Sequence, residues 1–254
     1  MIFRCISILM LFGSQWMSGQ NLVPNPSFEI FEKCPNQYLL TYRKELVPGW
    51  LIPTGATPDY FNACTKIQVG VPENFMGYCF ARDGQAYAGI ILLFNPPKDT
   101  TVPAKENYRE YIQSKLTNPL EKDQTYKISF YYAVASYSSY AVDRLGIYVS
   151  KDKIAIRDKS GDKRSTDVLN YVPQVCMDTC AILTQRDEWF EITANYVATG
   201  GEQYITIGNF YNDRKTRFQA LDLTGISRFM QYKIGKNKIA YYYIDLVAVE
   251  KVNQ

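Results

Sequence analysis

From Tyr126 to Val134 the chain alternates. Tyr126, Ile128, Phe130, Tyr132 and Val134 stand against Lys127, Ser129, Tyr131 and Ala133. A period of two sends the two sets to opposite faces of a β-strand. Leu145, Ile147 and Val149 repeat the pattern, and further strands are predicted over Trp189 to Val197, Tyr204 to Phe210 and Ala240 to Val249. Tyr78 to Phe94 reads as two strands with a turn at Asp83-Gly84, and Thr199-Gly200-Gly201 marks a turn between two later strands. Residues 23–30 read as a first strand entered through a proline-broken turn. Residues 31–75, rich in Pro, Gly, Asn and Asp, read as a long loop that needs a fastener, because long structureless segments inside a domain are uncommon. Over Glu106 to Leu116 the spacing of Tyr108, Tyr111, Ile112 and Leu116 is compatible with strand and with helix. Short strands separated by turn signals predict an all-β sandwich.

The N-terminus departs from this pattern. Arg4 is the only charge in residues 1–19, an apolar run spans Ile6 to Phe12, and Ser18 and Gly19 are small. That is the layout of a secretory signal peptide, and the run is far shorter than the ~20 residues of a membrane-spanning helix. The expected organisation is a signal peptide over 1–19 and one domain over 20–254, with no later apolar run able to span a bilayer. Removal of Arg4 takes the formal charge from +3 to +2. Near neutrality without a basic cluster argues against nucleic acid and against electrostatic membrane docking. The basic, turn-rich stretch from Asn212 to Lys238 reads as a solvated loop, or else as a contact for an acidic polymer or partner surface. Aromatics make up 15% of the chain, with 21 Tyr against 13 Phe, a bias that favours strands.

Export permits disulfides. The mature chain carries Cys34, Cys64, Cys79, Cys176 and Cys180, an odd number. Cys34 and Cys64 lie in loop-like sequence and are expected to close the N-terminal loop. Cys176 and Cys180 are placed to form a small ring, and Cys79, in a strand-like run, is expected to be a buried thiol. The absence of His and the spacings argue against a zinc cluster.

Two acids stand in apolar surroundings. Asp245 lies between Ile244 and Leu246, and Glu29 between Phe28 and Ile30. A buried carboxylate without a partner is costly. If the first and last strands are neighbours, the two acids repel unless a cation lies between them. Hard oxygen donors suit calcium. The opposing reading pairs these acids with a basic side chain, such as Arg82, or leaves them in water.

The opening Asn21-Leu-Val-Pro-Asn-Pro-Ser-Phe-Glu29, then Gly49-Trp50, Asp83-Gly84-Gln-Ala-Tyr-Ala-Gly89 and the closing Tyr241 to Val249 resemble the galactose-binding-like jelly rolls. These include carbohydrate-binding modules of families 4/9 and 22. Pro53 to Cys64, Arg109-Glu-Tyr-Ile112 and Gly200 to Phe210 bring the chain closer to a module at the N-terminus of secreted OmpA-type envelope proteins of Gram-negative bacteria. The resemblance covers nearly all of 21–249. It implies a structural calcium held by Ser27, Glu29, Asp83, Ala86 and Asp245. The peptidoglycan-binding domain that often follows the module does not appear in the sequence, so cell-wall anchoring is not implied. Cys79 also stands where the module usually has Gln.

For function, three classes compete. An enzyme needs a nucleophile with its base, a spaced acid pair or an open metal. With no His, no Gly-x-Ser-x-Gly elbow and no phosphate loop, the chain is expected to be non-catalytic. A glycan-active hydrolase remains as one alternative, because its acids need not be close in sequence. A glycan binder uses exposed aromatic rings, and Tyr60, Tyr137, Tyr140 and Tyr211 lie in loop or strand-end sequence where they would serve. The opposing reading for each is packing. A third class is a structural subunit of an outer-membrane or secretion complex that binds protein. The expected reading is a carbohydrate-binding-like module of the cell envelope, located in the periplasm, at the outer membrane or on the cell surface. Its partner would be a glycan or an envelope protein.

Overall fold

The computed structural model describes residues 19–36, 46–96, 107–156, 165–176, 181–186, 188–224 and 238–253. Two five-stranded antiparallel sheets pack face to face as a jelly-roll sandwich. The strands, numbered in chain order, form a first sheet in the order β1 (Trp50–Leu51), β6 (Ile112–Lys115), β12 (Tyr204–Gly208), β9 (Gly146–Ser150) and β10 (Val175–Cys176). The second sheet runs β11 (Phe190–Val197), β7 (Thr125–Val134), β14 (Ile239–Lys251), β5 (Ala86–Phe94) and β2 (Asp59–Asn62). Two small ribbons pair β3 (Glu73–Asn74) with β4 (Gly77–Tyr78), and β8 (Tyr140–Val142) with β13 (Phe218–Ala220). Within the ambiguous 106–116 stretch, Ile112–Lys115 forms strand β6.

The alternation along β7 does what its period demands. Tyr126, Ile128, Phe130, Tyr132 and Val134 enter the core between the sheets, where Ile147, Val149, Ile205, Ile207, Tyr242 and Ile244 meet them. The other faces are covered as well. Residues 69–79 lie over the second sheet, with Val69, Val71, Met76 and Cys79 packed on Phe61, Tyr87, Tyr241 and Tyr243. Ile154 and Leu169 pack on Tyr111 and Phe210 at the first sheet, beside Tyr148 and Tyr171. Tyrosine suits these layers because it buries a ring while its hydroxyl can reach a partner. Tyr243 donates to Asn74 Oδ1 at 2.9 Å, Tyr87 to the Cys79 carbonyl at 3.0 Å and Tyr242 to the Leu183 carbonyl at 3.2 Å.

Residues 23–30 are not a strand. Pro24 and Pro26 lack the N–H a ladder needs, and Phe28 has a positive φ of 61°. The segment nevertheless runs beside β14, as expected of the two chain ends. Leu22 N–H donates to Val249 O and Val247 N–H to Pro26 O, both at 2.9 Å. The Asn21 amide bridges Val247 O and Val249 N, each at 3.0 Å. The stretch read as loop over 31–75 contributes β1, β2 and β3. Its fastener is present, as a disulfide joins Cys34 to Cys64 across 30 residues. Cys79 is buried, as expected. Cys180, most of the signal segment and residues 225–237 of the basic stretch lie outside the described residues. Among the described residues no helix is long and apolar enough to cross a membrane.

Candidate functional site

β9 carries Ile147 and Val149 into the core, so Tyr148 between them faces outward. From this residue a groove of about 540 Å³ opens along Lys151 to Ile156. Tyr171 and Gln174 line it too, as do Tyr196 near the end of β11 and Thr199 and Glu202 from the β11–β12 connection. Its aromatic element is a stacked pair. The Tyr148 and Tyr171 rings are 4.6 Å apart and inclined by 19°. Gln174 is locked against β9, accepting from Val149 N at 2.8 Å and donating to Val149 O at 3.0 Å.

Glu202 organises the far wall. Its Oε1 accepts from the Tyr196 hydroxyl at 2.7 Å, the Thr199 hydroxyl at 2.7 Å and Thr199 N at 2.8 Å. Its Oε2 accepts from Gly200 N at 2.8 Å. Burial works to raise its pKa, but these donors prevail and hold it at about 2. The same burial, with the carboxylate beside it, pushes the Tyr196 hydroxyl up to about 12. Glu202 is therefore an ionised turn clamp at neutral pH, with no proton to donate. Lys151, Asp152 and Lys153 are exposed at the rim. Ring faces, rim charges and a volume within the usual range of ligand pockets make this groove the candidate site.

Each of the acids expected to meet touches the loop 82–85, but Glu29 and Asp83 are exposed and only Asp245 is buried. Asp245 is fully buried and its Oδ2 accepts from the backbone N–H groups of Arg82 at 2.8 Å and Asp83 at 3.0 Å. Its Oδ1 accepts from Leu246 N at 2.7 Å. Ser27 donates its hydroxyl to Asp83 Oδ2 at 2.8 Å, and Gln85 N–H donates to Glu29 Oε1 at 2.7 Å. Gly84, at φ 63°, leaves room for Glu29, since a Cβ there would come within 2.4 Å of the Glu29 carboxyl carbon. Burial raises the Asp245 pKa to about 8 against the pull of its three N–H donors, and the Asp83 charge adds to the rise. The Arg82 guanidinium is turned away, stacked 4.5 Å above the Tyr131 ring. The salt-bridge alternative therefore fails for Asp245, which meets only the Arg82 backbone. Among the described residues no three His, Cys, Asp or Glu side chains form a group that could hold a metal ion. A hydroxyl and carboxylates are donor types calcium takes, and among the described residues no basic side chain is paired with Asp83 or Asp245.

The four tyrosines expected at a binding face do not form one. Tyr60 is a correction: it is fully buried, donates to Phe28 O at 2.9 Å and accepts from Asn62 Nδ2 at 2.7 Å, so it presents no ring to a ligand. Tyr137 packs on the layer over the second sheet. Tyr140, in β8, packs on the main core and edge-on to Phe218 at 5.1 Å. Tyr211 lies by the first sheet with the Arg144 guanidinium 4.7 Å over its ring. The groove tyrosines were missed, although the outward position of Tyr148 is readable from the alternation of β9.

A second acid cluster was not foreseen. Asp59, in β2, accepts from the Tyr241 hydroxyl at 2.6 Å. Glu110 accepts from Ile91 N and from the Tyr108 hydroxyl, each at 2.8 Å. Both acids are nearly inaccessible. Burial raises both pKa values, that of Glu110 to about 7, and the Glu110 charge raises Asp59 further.

No family model matches the chain, and no curated protein matches it. Among solved structures, it is similar to the CBM22-1 xylan-binding domain of Xyn10C from Paenibacillus barcinonensis, at 17% identity over 93% of this chain and 97% of that one, TM-score 0.41. It is similar to a cleaved adhesin domain of Lys-gingipain from Porphyromonas gingivalis, at 13% identity over 90% and 96%, TM-score 0.37. A third is TmCBM61 in complex with β-1,4-galactotriose, at 13% identity over 91% and 99%, TM-score 0.38. These likenesses are remote, and the reading of the site rests on the chain's own residues.

Proposed function

We propose that this chain is an exported, non-catalytic glycan-binding module of a bacterial envelope, spanning 20–254 as one domain, and that its ligand lies in the groove beside β9. The observation that carries the reading is the groove itself, with the Tyr148–Tyr171 stack on its wall and charged side chains at its rim. The apolar face of a sugar ring stacks on an aromatic face, while polar side chains meet its hydroxyls. The Cys34–Cys64 disulfide supports export to an oxidising compartment. A calcium held by Asp83, Asp245, Ser27, Glu29 and the Ala86 carbonyl would be structural, joining the N-terminal segment to the 82–85 loop and β14. The test is affinity electrophoresis of the mature protein in gels containing xylan, β-1,4-galactan or peptidoglycan fragments. Retardation by at least one glycan, weakened in Tyr171→Ala with thermal stability kept, is the expected result. If none retards the protein while a defined envelope protein co-purifies with it, the structural-subunit reading replaces this one.

A further inference from the structure

Residues 78–80 lie on the other side of the sandwich from the groove, on the layer covering the second sheet. Cys79 is buried in that layer, which turns its two neighbours outward. Tyr78 is 54% exposed and Phe80 65% exposed, and they are the only aromatic rings among the large hydrophobics exposed in the described residues. Their centroids are 5.4 Å apart with planes at 88°, so together they form a right-angled aromatic corner.

The backbone under this corner is held at every residue. Tyr78 N–H donates to Ser136 Oγ at 3.1 Å and Cys79 N–H to Pro72 O at 2.8 Å. The Cys79 carbonyl accepts from the Tyr87 hydroxyl at 3.0 Å, and the Phe80 carbonyl accepts from the Trp189 indole N–H at 2.8 Å. Trp189 itself packs against Tyr87 at 5.8 Å. The rings are thus displayed on a fixed support while contributing little to the core. Single exposed apolar residues need no explanation, but two adjacent rings on a rigid support are an invitation to a ligand.

We propose that Tyr78 and Phe80 form a second glycan-stacking site, independent of the groove and on the opposite face. The size of the corner selects the occupant. Two aromatic side chains cover roughly 150–250 Å² each when fully buried. A stable protein interface needs about 800 Å² per partner. With the two rings about half to two-thirds exposed, the corner by itself offers less than half of that area, and it matches one or two sugar rings, whose apolar C–H faces stack on aromatic faces. The proposal shares with the preceding section the reading that the ligand is a glycan, but it uses none of the groove residues. With both sites filled, one module bridges two glycan chains.

Trp189 supplies the readout, because its indole N–H is bonded to the residue that stacks. Xylohexaose, cellohexaose and β-1,4-galactohexaose are titrated into the mature protein, followed by tryptophan fluorescence and by calorimetric stoichiometry. The expected result is a saturable fluorescence change with at least one probe. Phe80→Ala should weaken that response about two- to tenfold, with Tyr78→Ala acting in the same direction and neither altering the thermal midpoint. Tyr171→Ala should leave it intact. A response lost in Tyr171→Ala but kept in both Phe80→Ala and Tyr78→Ala overturns the second site and leaves the groove standing. A response kept in Tyr171→Ala and lost in Phe80→Ala supports the second site whatever the fate of the groove. Absence of any tryptophan response in the unaltered protein with all three probes also overturns it.

Discussion

The Tyr241 hydroxyl lies 2.6 Å from Asp59 Oδ2, inside the second sheet, with Glu110 as a second buried acid close enough to raise the Asp59 pKa. Gly89, paired with Asp59 across β2 and β5, makes the approach possible, since a Cβ there would fall 2.2 Å from the Tyr241 oxygen. The cluster joins β2, β5, β14 and the segment entering β6 through groups that are costly to charge.

Its pH dependence follows from Glu110. The side chain loses its proton near 4.5 in the unfolded chain and near 7 in the folded one, because burial outweighs the Ile91, Tyr108 and Thr57 donors. Between those values the folded protein binds more protons, so stability falls as pH rises. The contribution is fully present below about 4.5 and lost as pH passes about 7. At about 1.36 kcal/mol per pKa unit, it is on the order of 3 kcal/mol. Urea midpoints should drop from pH 5 to pH 8, and Glu110→Gln should flatten that slope. An unchanged slope in Glu110→Gln would show that other groups set it.

Glu202 has the opposite sign. Its folded pKa of about 2 lies below its ordinary 4.5, so its stabilisation is present above about 4.5 and lost as pH falls through about 2. Glu202→Gln keeps the shape but removes the charge that four donors address, at a cost of about 2–3 kcal/mol. Chemical denaturation at pH 7 measures this loss. The difference between variant and parent should shrink at pH 2.5, and a constant difference would refute the assignment.

The Cys34–Cys64 bridge closes a loop with a sequence separation of 30. Limiting the unfolded chain over such a loop contributes about 3–4 kcal/mol. The double variant Cys34→Ser, Cys64→Ser should lose stability of that order in urea titrations without reductant. Equal midpoints for variant and parent would mean the bridge does not form.

How far the sequence revealed this molecule depended on length and locality. β7, β9, β11 and β12 were legible because five or more alternating residues declare a period of two. β1, β2, β3 and β10 have two to four residues each, too few to carry a period, and β2 is buried throughout. Along β14 the alternation breaks between Asp245 and Ala248, where the register shifts and Leu246 takes a φ of 48°. Ile244, Val247 and Val249 all reach the core as a result, although 244 and 247 differ in parity. Nothing in an apolar run announces such a bulge. The groove was hidden for a different reason. It draws on 148–156, 171–174 and 196–202, which come together through the pairing of β9 with β12 and with β10. The acid corner was more legible, because Asp245 in apolar sequence had to find partners. Those partners proved to be backbone N–H groups of the 82–85 loop.

That corner carries the last prediction. Asp83 and Asp245 lie near enough for one charge to oppose the other, and among the described residues no basic side chain is paired with either, Arg82 lying over Tyr131. A calcium bound there only in the folded state stabilises by mass action, by about 2.7 kcal/mol at a hundred times its dissociation constant. Thermal unfolding in excess calcium should therefore occur at a higher temperature than in excess chelator. Asp245→Asn should remove that difference; it keeps one oxygen acceptor for the Arg82 and Asp83 N–H groups but loses the acceptor of Leu246 N–H, so its own curve in chelator is the reference for loss of fold. Identical unfolding curves in calcium and in chelator, with no calcium in elemental analysis of the purified protein, would leave the acids held by their N–H donors alone.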